Sequence, residues 1–264
     1  MRTRISLSAL VAVALSVGSA SAAPITWGLT AAPCSSTGGT SMGNTKTYCS
    51  APGPSVTASA WANTGDIAPL PAGANTAIAI AQLEVFSGGL GVRNADWNVA
   101  APGKDTSEGS SPEHAVDNNE RFDSVLFNFA SSIQLSSLSI GWVGSDSDIT
   151  VLAYTGGGVP VLAGATYGSL TGGGGWALVG HYLNAGTGSE AINLLGYSSR
   201  YWLIGAHNSL VGGDKKYDGN DAVKIKSLTG EQREERRVPE PASLALFGFG
   251  LAGLASRLRR ARRG

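Results

Sequence analysis

The chain is short of the side chains from which most catalytic and metal centres are built. In 264 residues it has three histidines, two cysteines and only 14% charged residues. No HExxH pair and no CxxC occurs, so zinc chemistry has no local signature. A dinucleotide fingerprint is present only superficially, in Gly186-Thr187-Gly188-Ser189-Glu190-Ala191, without the strand, crossover helix and parallel sheet that give it meaning. His114 is the best lone candidate for a general base, and the plainer account of it is a hydrogen-bonded turn histidine. Helical periodicity is missing as well: in the body no window longer than about ten residues repeats apolar side chains at three and four. Positive charge is scarce in that body, where Ala23 to Leu228 carries nine Lys and Arg against fifteen Asp and Glu, a net of −6. An acidic body argues against nucleic-acid binding, which needs a basic face, and leaves loops that could hold a cation.

The two ends differ from the body. Arg2 and Arg4, the apolar run Ile5 to Val17 and the small residues Ala20-Ser21-Ala22 form the charged, apolar and cleavage regions of a secretory signal peptide, with the cut expected after Ala22. At the other end, Val238-Pro239-Glu240-Pro241 precedes the apolar run Ala242 to Ala255 and then Arg257, Arg259, Arg260, Arg262 and Arg263. An apolar run closed by arginines reads as a membrane stop held by the positive-inside rule. About fourteen residues at roughly 1.5 Å each reach roughly 21 Å against a hydrocarbon core of about 30 Å, so the anchor is weak and suits a temporary one. The prolines keep the border segment extended and deny it helical hydrogen bonds, a form that a protease cleft can grip.

Those three parts in that order resemble the PEP-CTERM sorting signal. The resemblance implies removal of the tail by exosortase, a membrane-embedded cysteine protease, in a Gram-negative bacterium with an extracellular polysaccharide system. The chain would pass the Sec translocon and signal peptidase, be anchored transiently in the inner membrane, and end secreted or at the outer cell surface.

For the exported body, Cys34 and Cys49 lie close together in a chain bound for an oxidising compartment, and a structural disulfide is the default. The rest reads as strands. Phe122 to Phe129 alternates, with Val125, Phe127 and Phe129 on one face; Ile133 and Leu135 share one phase, whereas Leu138, Ile140 and Trp142 share the other. The phase slip at Ser136-Ser137 requires a bulge or a break. Asp148 to Tyr154, Val159 to Ala163, Trp176 to Tyr182, Tyr201 to His207 and Asp221 to Leu228 follow, separated by glycine-rich turns. The expected fold is all-β, an antiparallel jelly-roll-like β-sandwich, flanked by a signal helix and a short C-terminal transmembrane helix. The expected order is signal peptide 1–22, disulfide-containing segment 23–76, sandwich 77–229, charged linker 230–237 and sorting signal 238–264.

Gly89-Leu90-Gly91-Val92, then Ser111-Pro112-Glu113-His114-Ala115-Val116-Asp117-Asn118 and Arg121-Phe122-Asp123-Ser124-Val125-Leu126-Phe127, resemble a family of exosortase-dependent surface proteins with a Glu-His-Ala-x-Asp-Asn element. This resemblance would cover Ala77 to Gly230 and implies location and fold, with no reaction. Physically, Glu113, Asp117, Asn118 and Asp123 place oxygen-bearing side chains beside a strand entrance and could supply part of a Ca²⁺ shell. In the plainer reading, Asp117 and Asn118 cap a turn. Asp214, Asp218, Asn220 and Asp221 read as a solvated loop. Trp61 and Trp97 fall in polar loop sequence, where a flat ring could stack on a sugar, whereas Trp142, Trp176 and Trp202 fit strand patterns. Two functions remain open: a non-catalytic matrix protein associated with extracellular polysaccharide, and a secreted polysaccharide-active hydrolase.

Overall fold

The computed structural model describes residues 23–64, 74–95, 114–213 and 218–232. The signal peptide, the sorting signal with its arginines, Trp97, Glu113 and Asp214 lie outside them. Among the described residues no helix is long and apolar enough to cross a membrane.

Among the described residues, fourteen strands and one four-residue helix follow in order: β1 Ile25–Gly28, β2 Ser35–Thr37, β3 Thr45–Tyr48, β4 Val56–Ala62, β5 Ala79–Ile80, β6 Gln82–Phe86, β7 Gly89–Arg93, β8 Val116–Asp117, β9 Asp123–Val143, β10 Ile149–Tyr154, α1 Tyr167–Leu170, β11 Trp176–Tyr182, β12 Gly188–Ala191, β13 Ser199–Ala206 and β14 Ala222–Gln232. All strand pairings are antiparallel, in one hydrogen-bonded sheet whose main path runs β11-β10-β13-β9-β14-β7-β6.

Strand β9 makes this one sheet into two layers. Its first part, Asp123 to Phe129, pairs with β4 on one edge and β13 on the other. Its second part, Ile133 to Val143, pairs with β14 and β12. Between them Ala130-Ser131-Ser132 carries small side chains where the strand passes from one layer to the other, the usual way a corner joins two sheets. The alternating residues Val125, Phe127, Phe129, Ile133 and Leu135 are buried between the layers with Trp27, Trp202, Ile204, Ile225 and Leu228. The phase slip near Ser136 is a bulge within β9, because Ser137 faces Thr229 and Leu135 faces Gly230, with Ser136 unmatched. On β14, Val223 and Ile225 are buried while Lys224 and Lys226 face outward, as their alternation requires.

A second apolar cluster, Phe122, Leu152, Leu162, Tyr167, Leu170, Trp176, Tyr201 and Leu203, covers the opposite face of the layer containing β10 and β13. Those strands are therefore buried on both sides, which explains why β13 shows little alternation. The expected strand Val159 to Ala163 is not formed. Val159 and Val161 are exposed, Leu162 alone turns in to the second cluster, and Pro160 cannot donate to a ladder.

The segment before residue 77 shares the sheet: β1 pairs with β14, and β4 with β9. Cys34 and Cys49 form the disulfide, with Cα atoms 6.0 Å apart. The loop it closes is a hairpin, β2 on β3, rather than irregular chain. Close approach at the β6–β7 hairpin depends on Gly91, where a Cβ would stand 1.7 Å from the His114 carbonyl oxygen.

Two outcomes are expected. Alkylating the unfolded, unreduced protein adds no label, and replacing both cysteines by serine lowers the unfolding free energy by about 3 kcal/mol in a denaturant titration, the chain-entropy value for a loop of this size. Gly91→Ala costs roughly 3 kcal/mol or more in the same titration, since the added methyl meets backbone rather than a side chain able to move away.

Candidate functional site

The doubled course of β9 gives the sandwich two poles. Both ends of β9, the start of β14 and the end of β13 meet at one pole; the corner at Ala130-Ser131-Ser132 marks the other.

At the first pole Asn118 holds the start of β14. Its Nδ2 donates to Asp221 Oδ2 at 2.7 Å and to the His207 carbonyl at 3.1 Å, and its Oδ1 accepts from the Asp221 amide at 2.9 Å. The Asn118 amide donates to the Asp221 carbonyl. Asp221 Oδ1 in turn accepts from the Asp148 amide at 2.8 Å. Around this 1% exposed carboxylate, ligand atoms of Asp146, Asp148 and Asp221 lie within 4.8 Å of one another, and so do those of His207, Asp218 and Asp221. Burial pushes the Asp221 carboxyl up to about 7; the Asp148 amide opposes this, and the negative charges of Asp148, Asp218 and Asp146 add to it. Such a cluster can take up a proton, or offer oxygens to a hard cation.

The four oxygen-bearing residues expected to share one shell have separate tasks where they are described. Asp117 Oδ1 accepts from the Asn119 amide, which is the turn-capping arrangement. Asn118 is committed to β14, and Asp123, buried at the start of β9, lines a small cavity with Ser124, Tyr167 and Asn208. The Asp218 and Asp221 loop is not simply solvated, because Asp221 is buried and joined by Asp146, Asp148 and His207. The Asp146-Ser147-Asp148 turn was the missed sequence signal: two acids spaced by one residue just before a strand.

The tryptophans separate in the same way. Trp61 belongs to β4 rather than a loop: it is half-buried, its Nε1 donates to Ser59 Oγ at 3.0 Å, and it packs against the second cluster. The better aromatic surface is a groove at the corner pole, lined by Ser132, Tyr154, Thr155, Ser198, Arg200 and Tyr201. There Tyr154 meets Trp176 edge-on at 5.2 Å and Tyr201 at 6.0 Å, and the Arg200 guanidinium lies 5.7 Å from the Tyr201 ring centre.

His114 sits on the outer face beside the β6–β7 hairpin. Arg93 Nε donates to its Nδ1 at 3.1 Å, which requires a neutral imidazole with Nδ1 free to accept; burial lowers its pKa accordingly, against the pull of Glu84. Alongside, the Lys224 ammonium lies 3.9 Å from the Phe86 ring centre and 4.8 Å from that of Trp142. Gly39-Thr40-Ser41-Met42-Gly43 carries the letters of a nucleophile elbow, yet it forms the turn between β2 and β3, and Ser41 Oγ donates to the Gly38 carbonyl. An elbow needs a strand-to-helix turn.

Asp221 makes stability depend on pH. Its carboxyl is held above the ordinary value of 3.8, so the stability contributed by its protonated form is fully present below about pH 4 and is lost as pH rises to about 7. In chelator-treated buffer the melting temperature should fall across that window, and Asp221→Asn should flatten the slope. Millimolar Ca²⁺ should raise the melting temperature more at pH 8 than at pH 5, because cation and proton compete for the same carboxylate. Unchanged melting at both pH values would leave the cluster to the proton alone.

Residues 237–260 match the family described as the PEP-CTERM protein-sorting motif. No curated protein and no solved structure matches the chain. The motif identifies a chain that is exported and processed by exosortase at its C-terminal side, and it is joined here to an all-β body.

Proposed function

We propose that this is a non-catalytic surface protein whose C-terminal segment holds it at the inner membrane until exosortase removes that segment, after which the sandwich is retained among extracellular polysaccharide. The observation that carries the reading is the sorting motif at 237–260, which begins only a few residues after the last strand ends at Gln232. Such a position leaves the whole body on one side of the membrane and the cleavage zone, Val238 to Pro241, at its border.

Association with polysaccharide is supported by the groove around Tyr154, Arg200 and Tyr201. Its aromatic edges, guanidinium and serine hydroxyls are the groups that pack on sugar rings and bond their hydroxyls. Two buried hydroxyls that could suggest a nucleophile have structural partners. Thr150 Oγ1, buried, accepts from the Asn208 amide and shares a 2.9 Å hydrogen bond with His181 Nδ1, while Ser124 bonds Tyr167 at 2.6 Å.

Exchanging Pro239 and Glu240 for alanine should strand full-length protein in the inner membrane while its melting curve stays unchanged; wild-type protein at the surface with Arg257 to Gly264 still attached would overturn the sorting reading. Mature protein should co-sediment with the producer's polysaccharide without releasing reducing sugar. Arg200→Ala and Tyr154→Ala should each weaken retention about tenfold, equivalent to roughly 1.4 kcal/mol. Reducing-sugar release would favour the hydrolase.

A further inference from the structure

The corner pole carries a feature that neither the sorting signal nor the groove uses. The turn from β12 to β13 presents Leu194 and Leu195 to solvent, 90% and 76% exposed. A single exposed leucine needs no explanation, but these are adjacent and the turn that holds them is rigid. Asn193, in the left-handed region at φ 61°, organises it. Its Nδ2 donates to the carbonyls of Leu135 and Tyr197, both at 2.8 Å, and its Oδ1 accepts from the Tyr197 amide at 2.8 Å. Its own amide donates to Tyr182 Oη at 2.8 Å, and its carbonyl accepts from Gly196 at 2.9 Å. A turn fastened at every polar atom of one asparagine cannot fold its two leucines inward.

The position of that turn relates it to the chain's exit. Asn193 is fastened to Leu135 on one edge of β9, while on the other edge Leu135 pairs with Gly230 and Ile133 with Gln232. Asn193 and Gly230 are therefore about two strand spacings apart, roughly 10 Å, and the leucine tip and the chain's exit lie one or two residues beyond them. Ile25 pairs with Gly230, so the first strand also starts at this pole. From Gln232 to Val238 the chain has six peptide steps, which reach at most about 20 Å in any conformation. With the segment beyond Val238 in the bilayer, this pole cannot stand farther off than that tether, and the leucine pair is an exposed apolar surface at the same pole.

We propose that, while the chain is anchored, Leu194 and Leu195 insert into the phospholipid interface and seat the corner pole of the sandwich on the membrane, fixing the height of the cleavage zone above it. This rests on the reading of the C-terminal segment as a membrane anchor. A shallow insertion suits the purpose: two leucines hold an already tethered body in place and let it go once the tether is cut.

The test uses full-length protein reconstituted in phospholipid vesicles. Leu194→Cys and, at the opposite pole, Ile80→Cys are each labelled with an environment-sensitive fluorophore and exposed to lipids carrying a spin label near the headgroup. Ile80 is an apolar control: it is 47% exposed and pairs with Trp61, which in turn pairs with Ser124 at the start of β9. Quenching several-fold stronger at position 194 than at 80 is the expected result. A chain that floats with the vesicles and resists alkaline extraction, yet shows equal weak quenching at both positions, overturns the seating alone. A chain that does not float with the vesicles overturns the anchor reading and the seating with it. Shielding at 194 without quenching, in a sample that runs as a dimer, assigns the pair to a second copy and likewise overturns the proposal.

Discussion

Everything in this molecule hangs on the backbone ladder of β9. Its 21 residues pair on both edges, first with β4 and β13, then with β14 and β12. Because the two layers are joined through one continuous strand, the core between them is closed at the corner by covalent chain, and Trp27 completes it there. Its ring meets Phe129 edge-on at 4.9 Å while its Nε1 donates to the Pro54 carbonyl at 2.7 Å. The slip at Ser136 serves the same end: without one extra residue, Leu138 and Ile140 would face solvent instead of joining Leu135 in the core.

The central strands were legible because their period is simple. Val125, Phe127 and Phe129, then the shifted Leu138 and Ile140, could be assigned to a buried face from order alone, and the slip between them located the bulge. The pattern of Val159 to Ala163 misled, since a proline among apolar residues fits exposed coil over a second cluster as well as it fits an edge strand. Nothing local announced that β13 would be covered on both faces. That follows from Tyr167 and Leu170 of α1 and Trp176 at the start of β11 packing across it.

The acidic pole was legible only in part, for a topological reason. Asn118 and Asp221 are 103 residues apart in sequence, and their bond exists because β8 and β14 are neighbours. A reading confined to short windows gathers Asp117, Asn118 and Asp123, which are close in sequence, whereas the sheet gathers Asp146, Asp148, Asp218 and Asp221. Alternation is enough to separate the first set: Asp117 turns to cap its own loop while Asn118 crosses to the neighbouring strand. Burial then decides the chemistry, since removal from water raises the Asp221 carboxyl more than any one neighbouring charge does.

The same strand sets the distance between the two poles. From Ile133 at the corner to Val143 at the acidic end β9 runs about ten residues, roughly 33 Å at strand rise. On the seating proposed above, the corner would face the bilayer and the acidic pole would point away from it. Anchoring and ligand uptake therefore need not compete for the same surface. The aromatic groove differs, because Ser132 and Ser198 place it at the corner beside the leucine turn. On the proposed seating such a groove would be hindered while the anchor holds and freed when the tether is cut, so cleavage would also open the surface proposed to retain the protein.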